Sequence, residues 1–113
     1  MKTIFCDIDG TILAHAGTLS KIGENQEVLP GVVDKFDEWQ RKSYRLIITT
    51  ARPESMRELT EIQLENAGIA YHQLVMDLPT GPRYVINDSY NNGDIRAFGI
   101  PVIRDEGLTN VNI

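Results

Sequence analysis

Apolar positions along this chain fall into short dense runs separated by stretches of helical period. Residues 3–8 hold Ile4, Phe5, Cys6 and Ile8 almost without interruption, which predicts a buried strand. Leu29, Val32, Val33, Phe36 and Trp39 or Gln40 recur at helical spacing with charges between them, so residues 30–42 predict a helix. Residues 44–49, centred on Leu46, Ile47 and Ile48, predict a second strand. Pro53 suits the first turn of a second helix, with Glu54 near its positive end. Met56, Leu59, Ile62 or Gln63, and Asn66 or Ala67 track one face of that helix, and Gly68 follows as its C′ residue. Residues 74–76 and 84–86 predict third and fourth strands. Residues 101–103 predict a short edge strand, with Pro101 at its start where proline is tolerated. The tail after Gly107 is expected to be loose. Residues 11–28 hold Gly17 and Gly23 and no sustained period, which predicts a small hairpin or flap. Strands alternating with helices point to an α/β fold around a parallel sheet.

The 113 residues fit one domain, 1–113, and the 42% apolar content supplies a modest core. A chain this short has little surface to bury, which favours a homo-oligomer. The net charge of −5 argues against a general nucleic-acid binder, which needs a basic surface. It leaves room for locally placed cations facing an anionic substrate. Cys6 is the only cysteine, so no intrachain disulfide forms, in keeping with a reducing compartment. The first residues do not read as a signal peptide, and no apolar run approaches a membrane span. The expectation is a cytoplasmic protein with no membrane partner.

Polar residues stand at three predicted strand ends: Asp7 and Asp9, then Thr49 and Thr50, then Asn87 and Asp88. In an open parallel sheet, ligands bind at the carboxyl ends of the strands, so these groups converge on one edge. Asp7 and Asp9 are two apart and share a face while the chain stays extended. Gly10 then lets the backbone leave the strand and come close to a ligand. Two carboxylates at the end of an apolar strand are costly without a positive partner. A hard divalent cation such as Mg²⁺ is the natural one. The competing reading is a solvated turn, since Asp and Gly are ordinary turn residues.

With these residues in view, Phe5-Cys6-Asp7-Ile8-Asp9-Gly10-Thr11 resembles the first motif of the haloacid dehalogenase (HAD) superfamily in its phosphatase form. Ile47-Ile48-Thr49-Thr50-Ala51-Arg52 resembles the second motif. Arg83 lies where the third motif places Lys or Arg, and Val85-Ile86-Asn87-Asp88 resembles the fourth. The resemblance implies a three-layer Rossmann-like fold, and the short intervals between motifs resemble the small class that lacks a cap domain. It implies that Asp7 is the nucleophile, forming an aspartyl-phosphate, and that Asp9 is the general acid and base. It further implies that Thr50, Arg83 and Gly10 meet the phosphoryl group. Mg²⁺ would be held by the Asp7 carboxylate, the Asp9 backbone carbonyl and Asp88.

The chain departs from the family pattern in places. Many relatives carry two acids in the fourth motif, whereas here Asn87 precedes Asp88. Asn87 would orient Asp88 or a water, and Asp94 competes as a second carboxylate. The third-motif residue is Arg rather than Lys, with a different reach. Lys2, Arg45 and Arg52 compete with Arg83 for the role. Arg52 reads equally as an accessory anion contact or as a surface residue before Pro53. Thr49 and Thr50 also fit as strand-forming residues. His15 reads as an exposed loop residue, His72 as structural, and Cys6 and Trp39 as core.

The resemblance implies a Mg²⁺-dependent phosphomonoesterase acting on a sugar phosphate or other small phosphorylated metabolite. A polynucleotide end phosphatase shares these motifs. Readings from other classes are a phospho-accepting receiver domain and an inactive binding module. The alternating aspartates followed by Gly-Thr favour the phosphatase over the receiver.

Overall fold

The computed structural model describes residues 1–113. Strands β1 (Thr3–Asp7), β2 (Arg45–Thr49) and β3 (Gln73–Val75) form one parallel sheet in the order β1-β2-β3. Helix α1 (Val32–Arg41) connects the first pair, and α2 (Arg57–Asn66) connects the second. This is the α/β architecture with a parallel sheet that the alternating pattern predicts. Because each crossover begins at the carboxyl end of a strand, the loops that carry polar residues gather at that end.

Period-two burial decides which side chains meet the helices. Ile4 and Cys6 of β1, and Ile8 just past its end, point the same way as Leu46 and Ile48 of β2 and Leu74 of β3. They pack with Val32, Phe36 and Trp39 of α1 and Leu64 of α2 in a single core. Val32, Phe36 and Trp39 are four and three residues apart, which is why one stripe of α1 is buried. Helix α2 closes on Ala67 and Gly68: Gly68 N–H donates to the Glu65 carbonyl and Ile69 N–H to the Leu64 carbonyl. This is the Schellman pattern expected of a C′ glycine, and it buries Ile69 beside Leu64. The opposite sheet face carries Phe5, which is 58% exposed, with Ile47 and Val75 half-buried around it.

Residues 12–14 pair antiparallel with residues 27–29, through a Leu13–Val28 bridge and the Ala14 N–H to Glu27 carbonyl bond. Cys6 is buried, and burial pushes its thiol up to about 12, which leaves it unreactive at neutral pH.

Expectations are corrected in two places, the later strands and the tail. The first is the strand at residues 84–86, which does not form; Tyr84 is 87% and Ile86 96% exposed. The eight residues between Val75 and Tyr84 are too few. They reach at most about 28 Å when fully extended. A parallel partner for β1 requires a return past the whole sheet and over one of its faces, normally a dozen residues or more. Residues 79–101 instead form an arm without regular structure, turned back at residues 90–94 by bonds between Tyr90 N–H and the Asp94 carbonyl and between Gly93 N–H and the Tyr90 carbonyl. The expected edge strand at residues 101–103 is absent as well.

The second correction is the tail, which is docked rather than loose. Leu108 is in the core, its N–H donates to the Pro30 carbonyl, and Asp105 N–H donates to the Gly10 carbonyl. Gly107 makes this possible. Its φ is +83°, and a Cβ there would lie 2.1 Å from the Pro30 carbonyl oxygen. Gly107→Ala should therefore cost roughly 2–4 kcal/mol. The urea midpoint, followed through Trp39 fluorescence, should fall. Gly81→Ala, where nothing lies within 4 Å, is the control. Equal midpoints for the two variants would show that the tail is not held at Gly107.

Candidate active site

The carboxyl end of β1 supplies both aspartates. Ile8 between them is fully buried, so Asp7 and Asp9 emerge on the other side, as their spacing predicts. The chain then turns sharply. The Ile8 carbonyl accepts N–H bonds from Thr11, Ile12 and Leu13, and Gly10 sits at φ +87°. A Cβ on Gly10 would meet Arg104 Cγ at 3.1 Å. Glycine thus allows an arginine from the tail to lie directly over the turn.

Asp7 has one oxygen on each of two partners. Thr11 Oγ1 donates to its Oδ2 at 3.2 Å, and Arg83 Nη1 lies 3.7 Å from its Oδ1. Partial burial raises its pKa above the ordinary aspartate range, and Arg83 and then Thr11 pull it back down. Asp7, Asp9, Gly10, Thr11, Val102 and Arg104 line an open cleft of about 180 Å³. A half-buried carboxylate paired with Arg83 thus stands at a cleft that Arg104 also lines, a setting for an incoming anion.

Asp9 is held quite differently. Arg52 grips it with two bonds, Nε to Oδ2 at 2.9 Å and Nη2 to Oδ1 at 2.8 Å. The remaining Arg52 donors are also used: Nη1 reaches Thr60 Oγ1 and Gln63 Oε1, and Nη2 also reaches Gln26 Oε1. Gln26 Nε2 donates to Asp9 Oδ1 at 2.8 Å. The Arg52 side chain is 1% exposed. It is a buried partner of Asp9, which corrects both readings of it, the anion contact and the surface charge. A buried guanidinium needs a carboxylate and a full set of acceptors, and it has both.

Thr50 is buried behind this pair, and its hydroxyl accepts the Arg52 N–H at 3.1 Å. It is not part of the cleft lining. Gly10 lines the cleft, but its N–H is committed to the Leu13 carbonyl. Lys2 and Arg45 stand at the amino ends of β1 and β2, away from the site, where Lys2 lies over the Tyr44 ring. Arg83 alone of the competing cations faces Asp7. His15 is exposed, and His72 Nδ1 accepts the Leu46 N–H, a structural role as expected.

Asp88 and Asn87 do not join the aspartates, contrary to the expected ligand set. Asp88 lies on the arm with its side chain 75% exposed, paired with Arg96, and Asn87 bonds to Asp88. Asp94 is bound to Asn92 in the turn of the arm. The Asp9 carbonyl accepts no hydrogen bond and, with the Asp7 carboxylate, offers two hard oxygen ligands at one cleft. No third acid, His or Cys stands close enough to complete a metal-binding group. One chain thus fits a divalent cation in part.

Sequence reasoning missed Gln26, Thr60 and Arg104, and it placed Gln63 only as an alternative on a helix face, with no role at the site. Thr60 and Gln63 had a signal, since they share a helix face with the buried Leu64. Gln26 and Arg104 had none, for each depends on how a loop or tail is folded back.

The family model described as PITM 1-3, LNS2 domain, matches residues 4–84, which includes the first two motifs and Arg83 but stops short of Asp88. None of the curated proteins matches significantly. Among solved structures, the Pnkp1/Rnl/Hen1 complex aligns at 25% identity and a TM-score of 0.60, covering 74% of this chain and 30% of the other. The D,D-heptose 1.7-bisphosphate phosphatase from B. bronchiseptica, complexed with magnesium and phosphate, aligns at 20% identity and a TM-score of 0.52, covering 73% and 52%. A protein from Vibrio cholerae aligns over 100% of this chain and 91% of its own length, at 19% identity and a TM-score of 0.57. The chain spans about a third to a half of the first two. These likenesses show a HAD-like fold.

Proposed function

The chain belongs to the family of the PITM 1-3 LNS2 domain, a HAD-like family, and on that premise we propose that it is a Mg²⁺-dependent phosphomonoesterase. The carrying observation is the contrast between its two strand-end aspartates. Asp7 stands half-buried at an open cleft, paired with Arg83 and sharing the cleft lining with Arg104, while Asp9 is held from behind by Arg52. A nucleophile must face the substrate, and an acid must be aimed before it acts.

In this reading an Asp7 oxygen attacks phosphorus and the bond to the leaving oxygen breaks, giving an aspartyl-phosphate. Asp9 turns from Arg52, takes up a proton from solvent at the open cleft and gives it to the leaving oxygen; it then takes a proton from the water whose oxygen displaces Asp7 from phosphorus. Arg83 and Arg104 offset charge on the phosphoryl oxygens. Arg104 thus shares the third-motif role with Arg83. Thr50 acts through Arg52 rather than on the phosphoryl group. The Asp7 carboxylate and Asp9 carbonyl would hold Mg²⁺, which when bound supplies further charge neutralisation.

The cleft takes a phosphoryl group and leaves the rest of the substrate in solvent or under the 11–28 flap, without a cap domain. A sugar phosphate or similar metabolite suits it. The heptose bisphosphate phosphatase likeness supports this substrate class, while the RNA-repair likeness supports a second one, polynucleotide ends. The net charge of −5 favours the former. No helix of the chain is long and apolar enough to cross a membrane.

The test is phosphate release from p-nitrophenyl phosphate, sugar phosphates and 3′- or 5′-phosphorylated oligonucleotides. Release should require Mg²⁺, stop with EDTA and return on adding Mg²⁺. No release from any of them would overturn the reading. The metal-free chain carries a second signature. Partial burial raises the Asp7 pKa, so in EDTA its carboxyl, followed by NMR, should titrate above the ordinary aspartate range. Arg83→Met removes a group that lowers that pKa and should move the titration further upward. A titration that stays put would separate Arg83 from Asp7.

A further inference from the structure

The arm exposes its apolar residues, and the site lacks an acid that the arm carries. Tyr84, Val85, Ile86, Ile95 and Phe98 are all exposed. So large an apolar surface on a short chain marks an interface. The molecule is drawn out to 48 × 28 × 24 Å. The V. cholerae structure aligns over the full chain, arm included.

The direction of the arm identifies its occupant. Arg83 lies beside Asp7, at the carboxyl end of β1. Residues 84–88 leave from there, so next to their own β1 they can only run antiparallel to it. Asp88 is then carried about 17 Å from the site, five residues at ordinary strand rise. A two-fold axis perpendicular to the sheet changes this. It sets the 84–86 segments of two copies side by side and antiparallel. Each segment then runs parallel to the first strand of the other copy, whose outer edge has no partner within its own chain. The segment ends at that copy's aspartates.

We propose that two copies of this chain exchange residues 84–86, so that each active site takes Asp7, Asp9 and Arg83 from one copy and Asp88 from the other. The contact is isologous, and the Arg96–Asp88 pair opens as Asp88 reaches the neighbouring cleft. The role given to Asp88 rests on the phosphatase reading; the exchange itself does not.

Sedimentation of the full chain should give a dimer at micromolar concentration. Ile86→Asp should give a monomer with unchanged secondary structure by circular dichroism. A monomeric wild-type chain, or a dimeric Ile86→Asp, overturns the exchange. In a Cys6→Ser background, oxidation of mixed Phe5→Cys and Ile86→Cys chains should link the two different chains. Absence of that cross-link, read by peptide mass, also overturns it. Delivery of Asp88 is read by complementation. Asp7→Asn and Asp88→Ala chains, each inactive alone, should recover about a quarter of the wild-type rate when unfolded and refolded together, because random pairing restores one site in half of the dimers. No recovery in a proven dimer overturns delivery in trans. A wild-type dimer that releases no phosphate overturns the phosphatase reading and leaves the exchange standing.

Discussion

Asp7→Asn should lower phosphate release by about 10³-fold or more while leaving the fold at least as stable as before. The two halves of this expectation have separate causes. The amide cannot form the acyl phosphate, so loss of rate follows from the chemistry. Stability follows from the setting. Asp7 has its pKa raised by burial, which means that its ionised form disfavours the folded state at neutral pH. The sign follows directly. A carboxyl whose folded pKa lies above its unfolded value binds protons more readily when folded, and above both values its charge opposes folding. A neutral amide removes that opposition and keeps an oxygen for Thr11, whose hydroxyl is 3.2 Å away. Rates and thermal midpoints measured on the same samples check both halves. Near-normal release would remove Asp7 as nucleophile. A collapsed midpoint would mean that its carboxylate is structural.

The readings that hold from sequence are local ones. The dense apolar run of β1, the Asp7–Asp9 spacing and the stripes of α1 each depend on neighbours within a few residues, and such patterns carry to the fold. Arg52 shows where this ends. Its acceptors lie on the flap and on α2, at Gln26, Thr60 and Gln63, besides Asp9. A polar side chain facing inward looks the same in sequence as one facing water, and only assembly decides which it is. Arg104 is similar, since it reaches the cleft because Gly107 lets the tail dock at Pro30. The 84–86 segment fails in another way. Tyr-Val-Ile is a sound strand sequence, but a strand needs a partner edge within reach, and the eight residues before it do not provide the path. The fourth-motif acid is thereby absent from its own site, and the same shortage of chain that removes it directs the segment to another copy.

Arg52→Met should cost roughly 3–5 kcal/mol, enough to unfold much of a marginally stable small domain. The methionine fills most of the space, so the loss is electrostatic and not a cavity. It leaves the Asp9 carboxylate, 20% exposed, without its countercharge, and strips Thr60 and Gln63 of a donor. Arg52→Lys should rescue little, because an ammonium cannot make the two parallel bonds to Asp9 and reach α2 at once. Asp9→Asn approaches the same pair from the other side. It should lower stability as well as activity, so its kinetics have meaning only beside its unfolding curve. The double variant, Arg52→Met with Asp9→Asn, should be less unstable than the two single losses added, since each single change strands a charge and the double strands none. Urea unfolding of all four proteins measures that coupling. Additive losses would mean that Asp9 and Arg52 do not act as a pair. On the phosphatase reading, a coupling with the stated sign would explain how the site keeps its proposed acid in place: the residue that must wait for a leaving group is held, between turnovers, by the charge that also holds the fold.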